Sequence, residues 1–195
     1  MFEQLITLDK ELLLLINGFN NHVLDSIMVF VSLKFGWVPL YIFLLYTIIN
    51  DYRRKSWLVL IIIGLTILIA DQSSVHLFKN VFQRLRPCHD DALAGLLHLV
   101  KPCGGKFGFI SSHAANSFSL AVFIILLLKN KHSWIWPVML LYAVLIIYSR
   151  VYIGVHYPSD VIAGAVVGSL IGFGTYYLFK EIRKHIKCPL EFHLP

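Results

Sequence analysis

The chain has 195 residues, 57% hydrophobic and 14% charged, with a formal net charge of +6 and a mean hydropathy of +0.72. That composition excludes an ordinary soluble domain, whose charges are more numerous and more evenly spread. The basic balance does not point to nucleic acid either, because the cations cluster between long apolar stretches instead of covering one face.

Residues 2–17 place Phe2, Leu5, Ile6, Leu8, Leu12, Leu13 and Ile16 at helical spacing, with Glu3, Asp9, Lys10 and Glu11 among them. This predicts an amphipathic helix over residues 1–20, lying on the membrane surface or against a bundle. The early acidic residues argue against a cleaved signal peptide. A first span is expected from Ile27 to Ile49, with Lys34 snorkelling near one end. A further short hairpin within residues 2–34 is the alternative. After the basic loop "NDYRRKS", a second span runs from Trp57 to Phe78, broken late by Asp71.

Residues 79–110 form the one long connection, rich in Arg, Lys, His, Cys, Gly and Pro. Ser112–Leu128 is the third span, Trp134–Tyr148 the fourth and Pro158–Phe179 the fifth, followed by a basic tail. In the fifth, Gly164, Gly168 and Gly172 recur on one helix face, a stripe that lets another helix approach closely. The expected fold is all-α: a polytopic transmembrane bundle of about five spans in a single domain over residues 1–195. Alternating spans put Arg53, Arg54, Lys55, Lys129, Lys131 and the tail on one side, assigned to the cytoplasm. The 79–110 loop then faces outward and carries an active site. Cys88 and Cys103 both fall in it, where an oxidising compartment would allow a disulfide. Cys188, in the tail, is expected as a free thiol.

Three segments meet on the outward face. "KNVFQRLRP" supplies Lys79, Arg86 and Pro87, "ISSHAANS" supplies Ser111, Ser112 and His113 at a helix start, and "SRVYIGVHYPSD" supplies Arg150, His156 and Asp160. Ionisable groups at membrane depth mark function. Three cations with a helix N-terminus suit a tetrahedral dianion. Of two histidines, one can attack phosphorus while the other protonates the departing oxygen and later activates water. Asp160, four residues after His156, can fix the ring tautomer. Asp71, paired with a buried donor on a facing helix or with His76, would support the site from behind, and Asn116, one turn after His113, is either its hydrogen-bond partner or a helix-packing amide.

K-x6-R-P, then Ser-x-His at a helix start, then S-R-x5-H-x3-D resembles the type 2 phosphatidic-acid phosphatase superfamily, which includes lipid phosphate phosphatases, bacterial acid phosphatases and vanadium haloperoxidases. The resemblance spans about residues 56–180. The middle motif usually reads Pro-Ser-Gly-His, whereas this chain has Ile110 and Ser112 in place of Pro and Gly. The resemblance implies His156 as nucleophile, Asp160 as its orienting partner and His113 as acid and base. It implies phosphate binding by Lys79, Arg86, Ser111, Ser112 and Arg150, with no metal and no cofactor. The expected activity is removal of a terminal phosphate, through a phosphohistidine, from a membrane lipid. Candidates are a polyprenyl diphosphate, phosphatidylglycerol phosphate, phosphatidic acid or lipid A phosphate. The expected setting is a bacterial inner membrane with the site facing the periplasm. Lipid-to-lipid phosphotransfer and non-enzymatic lipid transport are the alternatives.

Overall fold

A computed structural model of the chain describes residues 2–186; Lys187 and Cys188 lie outside the described residues. Apart from one antiparallel bridge between Leu85 and Phe107, the described residues contain helices and loops only. Helix α1 spans Phe2–Gly18 and α2 His22–Ser32, the two bent by 116°. Asn21 caps α2 by accepting from the Val23 and Leu24 amides. Helix α3 (Val38–Tyr52) carries a proline in its first turn. It packs beside α4 (Ser56–Ser73) across a turn at Arg53.

The helical path continues beyond α4 through a π-turn at Ser74–Lys79 into the short α5 (Asn80–Phe82). Then come α6 (Ser112–Leu128), α7 (Ile135–Tyr152) and α8 (Pro158–His185).

Three helical runs are long and apolar enough to cross a membrane, at 34–82, 135–152 and 158–185, and a fourth if the bent α1–α2 pair counts as one span. The 49-residue run would extend ~74 Å if straight, over twice a bilayer core. It contains α3 and α4, packed side by side. Helix α6 is apolar but shorter, with 17 residues against 28 in α8.

Two sequence expectations are corrected here. The first span does not start at Ile27: α2 ends at Ser32, a 3-10 turn occupies Lys34–Trp37, and α3 starts at Val38. The short hairpin within residues 2–34 describes this region better. Helix α1 lies against α7 and α8, one of the two placements expected, but the polar face of the expected amphipathic helix is turned inward. Leu5, Leu8, Leu12 and Leu15 are exposed, while Asp9 and Asn17 are buried with Leu13. Bilayer and helix interior are equally apolar, so a leucine gains little by facing inward, whereas a polar group gains a partner.

The apolar core occupies the half of the bundle away from the 79–110 loop. There Leu44 and Ile48 of α3, Val59 and Ile62 of α4, Phe123 and Ile124 of α6, and Met139 of α7 pack together. Helix α8 lies against α6 through its glycine stripe. A Cβ on Gly164 would sit 2.7 Å from the Ser111 carbonyl oxygen, and those on Gly168 and Gly172 would overlap the carbonyls of Ala115 and Ser119. The close approach fixes α6 and α8, whose N-termini carry two of the three motifs.

Candidate active site

Helix α6 starts where Ser111 caps it, its side chain accepting from the Ala114 amide. The Ser111 amide in turn donates to the Asp160 carbonyl at 3.0 Å. One backbone hydrogen bond thus ties the helix start that bears His113 to the turn that bears His156 and Asp160. Pro158 opens α8, and the Asp160 side chain accepts from the Tyr157 amide at 3.1 Å, closing a capping box.

The same oxygen, Oδ2, lies 3.4 Å from His156 Nδ1. Asp160 is 0% and His156 1% exposed. Burial, followed by the charges of Arg150, Arg86 and Lys79, pushes the His156 ring well below the usual histidine range. A neutral imidazole oriented through Nδ1 leaves Nε2 with a free lone pair.

The cations approach from three elements. Arg86 follows α5, and its backbone amide donates to Lys106 while Nε donates to the Phe107 carbonyl. Two glycines make room for it: a Cβ on Gly104 would stand 2.9 Å from an Arg86 terminal nitrogen, and one on Gly108 would meet both Arg86 and Asp160. Arg150, in the last turn of α7, is 5% exposed and donates to the Ser32 hydroxyl. Its Nε has no protein partner among the described residues. A buried guanidinium in the lining of a cavity suits an anion site.

Arg86, Arg150 and His113 line one cavity of about 610 Å³. Lys79, at the end of the π-turn, donates to the Ser112 hydroxyl, which also bonds Ser74. Serine at this position therefore engages the lysine, a role that the glycine usual in the motif has no side chain to fill.

For the supporting residues, the structure takes one of the two alternatives in each case. His76 pairs with Gln72, so it is not the partner of Asp71. Asp71 accepts instead from Asn116 at 3.3 Å, and Asn116 therefore turns to Asp71 and not to His113. Cys88 and Cys103 are joined as a disulfide, with Cα atoms 6.2 Å apart, within the loop that carries Arg86.

Sequence reasoning missed a second tier around Asp160. Arg84 donates to Asp160 Oδ1 at 2.9 Å, to the Ser159 hydroxyl at 2.6 Å and to Asp9 Oδ2 at 2.6 Å, and its guanidinium lies 4.1 Å from the Tyr157 ring centre. Asp9, on α1, also accepts from the Ser159 amide at 2.8 Å. The available signal was an arginine two positions before Arg86 and an acid within an apolar helix.

A second, apolar cavity of about 410 Å³ runs between α3, α4, α6 and α7, lined by Leu44, Ile63, Leu120 and Tyr142 among others. It shares Ser32, Leu33, Lys34 and His113 with the polar cavity. An oily chamber thus adjoins a cationic one at His113.

The profile of the PAP2 superfamily matches residues 56–184. The chain is 36% identical over 190 residues to a lipid A 4'-phosphatase of Bacteroides thetaiotaomicron, covering 96% of this chain and 84% of that protein. It is 35% identical over 175 residues to an undecaprenyl-diphosphatase of Sulfolobus acidocaldarius, covering 88% and 78%. Among solved structures, a transmembrane PAP2-type phosphatidylglycerolphosphate phosphatase from Bacillus subtilis superposes with a TM-score of 0.66. That pair is 23% identical, with 96% of this chain and 90% of the other covered, a likeness of fold.

Proposed function

The chain belongs to the PAP2 superfamily, and from that premise we propose that it is a membrane enzyme hydrolysing the terminal phosphate of a lipid phosphate or diphosphate. The observation that carries this reading is the joining of the motifs. The Ser111–Asp160 backbone bond couples the His113 helix start to the His156–Asp160 pair, and Arg86, Arg150 and His113 face one cavity. The apolar chamber entering beside His113 suits a lipid tail, which a soluble sugar phosphate lacks.

In the proposed reaction, Lys79, Arg86 and Arg150 hold the phosphate oxygens, and Ser111 with Ser112 shapes the helix start against them. His156 Nε2 attacks phosphorus as the bond to the leaving oxygen breaks, and His113 gives that oxygen a proton. Asp160 holds the Nδ1 proton and offsets the positive charge on the phosphorylated ring. Water then attacks phosphorus while His113 takes its proton back. The P–N bond breaks, inorganic phosphate leaves and His156 is restored. Asp71, on α4, supports His113's helix by accepting from Asn116.

The outward loop and its disulfide fit an oxidising compartment, and the basic turn at 53–55 fits the cytoplasmic side. A bacterial inner membrane with the site facing the periplasm is the setting consistent with both. The test is phosphate release by purified protein in detergent, over undecaprenyl diphosphate, phosphatidylglycerol phosphate, phosphatidic acid and lipid A. Release from at least one, abolished in His156→Ala, is expected. No release from any would overturn the reading.

A further inference from the structure

Beside the motif cations Arg86 and Arg150, the polar cavity is lined by two more, Lys34 and Lys101. Lys34 stands in the 3-10 turn between α2 and α3, and Lys101 in the loop 79–110. Among the described residues neither has a carboxylate within ion-pair distance, whereas Lys10, Arg84 and Lys131 each do. Lys34 occurs in the lining of both cavities, so it sits where the apolar chamber adjoins the cationic one. His113 is at the same junction.

Charge counting gives these lysines a task. Lys79, Arg86 and Arg150 already exceed the charge of one phosphate dianion. The buried carboxylate Asp160 is already engaged by Arg84, which it shares with Asp9. Two further cations in the lining repel Arg86 and Arg150, and the Lys101 ammonium is pushed down by partial burial and then by Arg150. Such an excess at membrane depth is costly unless a ligand brings matching negative charge. Position says which part of the ligand carries that charge. With a tail in the apolar chamber and the scissile phosphorus at His156, the leaving group lies between them, beside His113 and Lys34.

We propose that Lys34 and Lys101 form a second anion subsite on the leaving-group side, taking a negative group that the substrate bears next to its scissile phosphate. The inner phosphate of a lipid diphosphate supplies such a group, and so does an acidic sugar on a phosphorylated glycolipid. This rests on the hydrolase reading above. In the diphosphate case the departing species is a phosphate monoester, whose developing charge the two ammonium groups stabilise while His113 protonates the bridging oxygen.

The test uses the full chain in detergent and two matched substrate pairs: farnesyl diphosphate with farnesyl phosphate, and a 4'-phosphorylated lipid A with and without an attached acidic sugar. In Lys34→Gln, Lys101→Gln and the double variant, kcat/KM for the more anionic member of at least one pair should fall about tenfold or more. For its partner the fall should be about threefold or less, so the ratio within that pair collapses. The pair that responds identifies the source of the second charge. Equal losses on both members of both pairs would mean that the lysines only raise the general potential, and that result overturns the subsite. So does an unchanged ratio in both pairs. If wild type hydrolyses none of the four substrates or of the earlier panel, the hydrolase reading itself has failed, a distinct outcome.

Discussion

Helices α6 and α8 and the flank made by α2 and α3 are equally oily, yet they do opposite things. Along α6–α8, glycine meets backbone, with no side chain between Gly168 and Ala115 or between Gly172 and Ser119. Along the α3 flank, Leu44, Ile48 and Tyr41 leave a cavity of about 410 Å³ against α4, α6 and α7. The first arrangement fixes two helix starts against each other, and the second keeps room for a chain. Chemistry that needs aligned reacting groups is placed on the close-packed pair, and variable tail length is left to the other. Apolar composition alone cannot separate these uses; side-chain size can.

The largest expected effect removes the nucleophile from the close-packed pair. His156→Asn should cut turnover by about 10³-fold or more while helical content stays unchanged. Activity within tenfold of wild type would move the chemistry elsewhere. Next is the tier behind it. Arg84→Met leaves Asp160 Oδ1 and Asp9 without their shared partner and should lower kcat by about 10- to 100-fold with little change in KM, partly rescued in Arg84→Lys. A change confined to KM would contradict a positioning role.

Packing on the same pair is tested by Gly168→Val, expected to cost about 1–3 kcal/mol, read as a lower Tm in detergent. Gly64→Ala, on α4 where a Cβ meets open space, should leave Tm within about 2 °C. Equal effects would erase the contrast between the two regions. The loose flank is tested by Leu120→Trp, which fills the apolar cavity. It should lower kcat/KM for long-chain substrates about tenfold and spare short-chain ones; equal losses would argue against a tail chamber.

The smallest expected effect concerns mild acid. His156 is held low by burial and its cationic neighbours, so its ring should remain neutral at pH 6 in the ligand-free protein. A histidine ring NMR titration would check this, and a midpoint near 6.5 would contradict it. The sign for stability follows: the unfolded chain takes a proton near pH 6.5 that the folded ring refuses. His156 therefore withdraws stability as pH falls below that value, and none above it.

The sequence made legible whatever carries its own chemistry. Lys79, Arg86, His113, Arg150, His156 and Asp160 stood out as charges and imidazoles against apolar surroundings, and the glycine stripe declared itself by period. Partners far apart in the chain were not legible. Arg84 meets Asp9 across 75 residues, and no local pattern encodes that pairing. Asn116 faced a choice between His113, one turn away, and Asp71, 45 residues away, which only helix rotation decides. The orientation of α1 was hidden for a physical reason: a leucine face reads the same whether it meets lipid or protein. Lys34 read as a snorkelling end because its apolar flanks hid the break, although Gly36 in the 3-10 turn and Pro39 at the start of α3 mark it.

The account depends most on which nitrogen receives the phosphorus. Rapid quench of the protein with a ³²P-labelled lipid substrate, followed by peptide mapping under alkali, addresses it directly. An alkali-stable, acid-labile label on the peptide containing His156, accumulating further in His113→Asn, is the predicted result. A label on His113, or full turnover with no labelled histidine at any time, would contradict it.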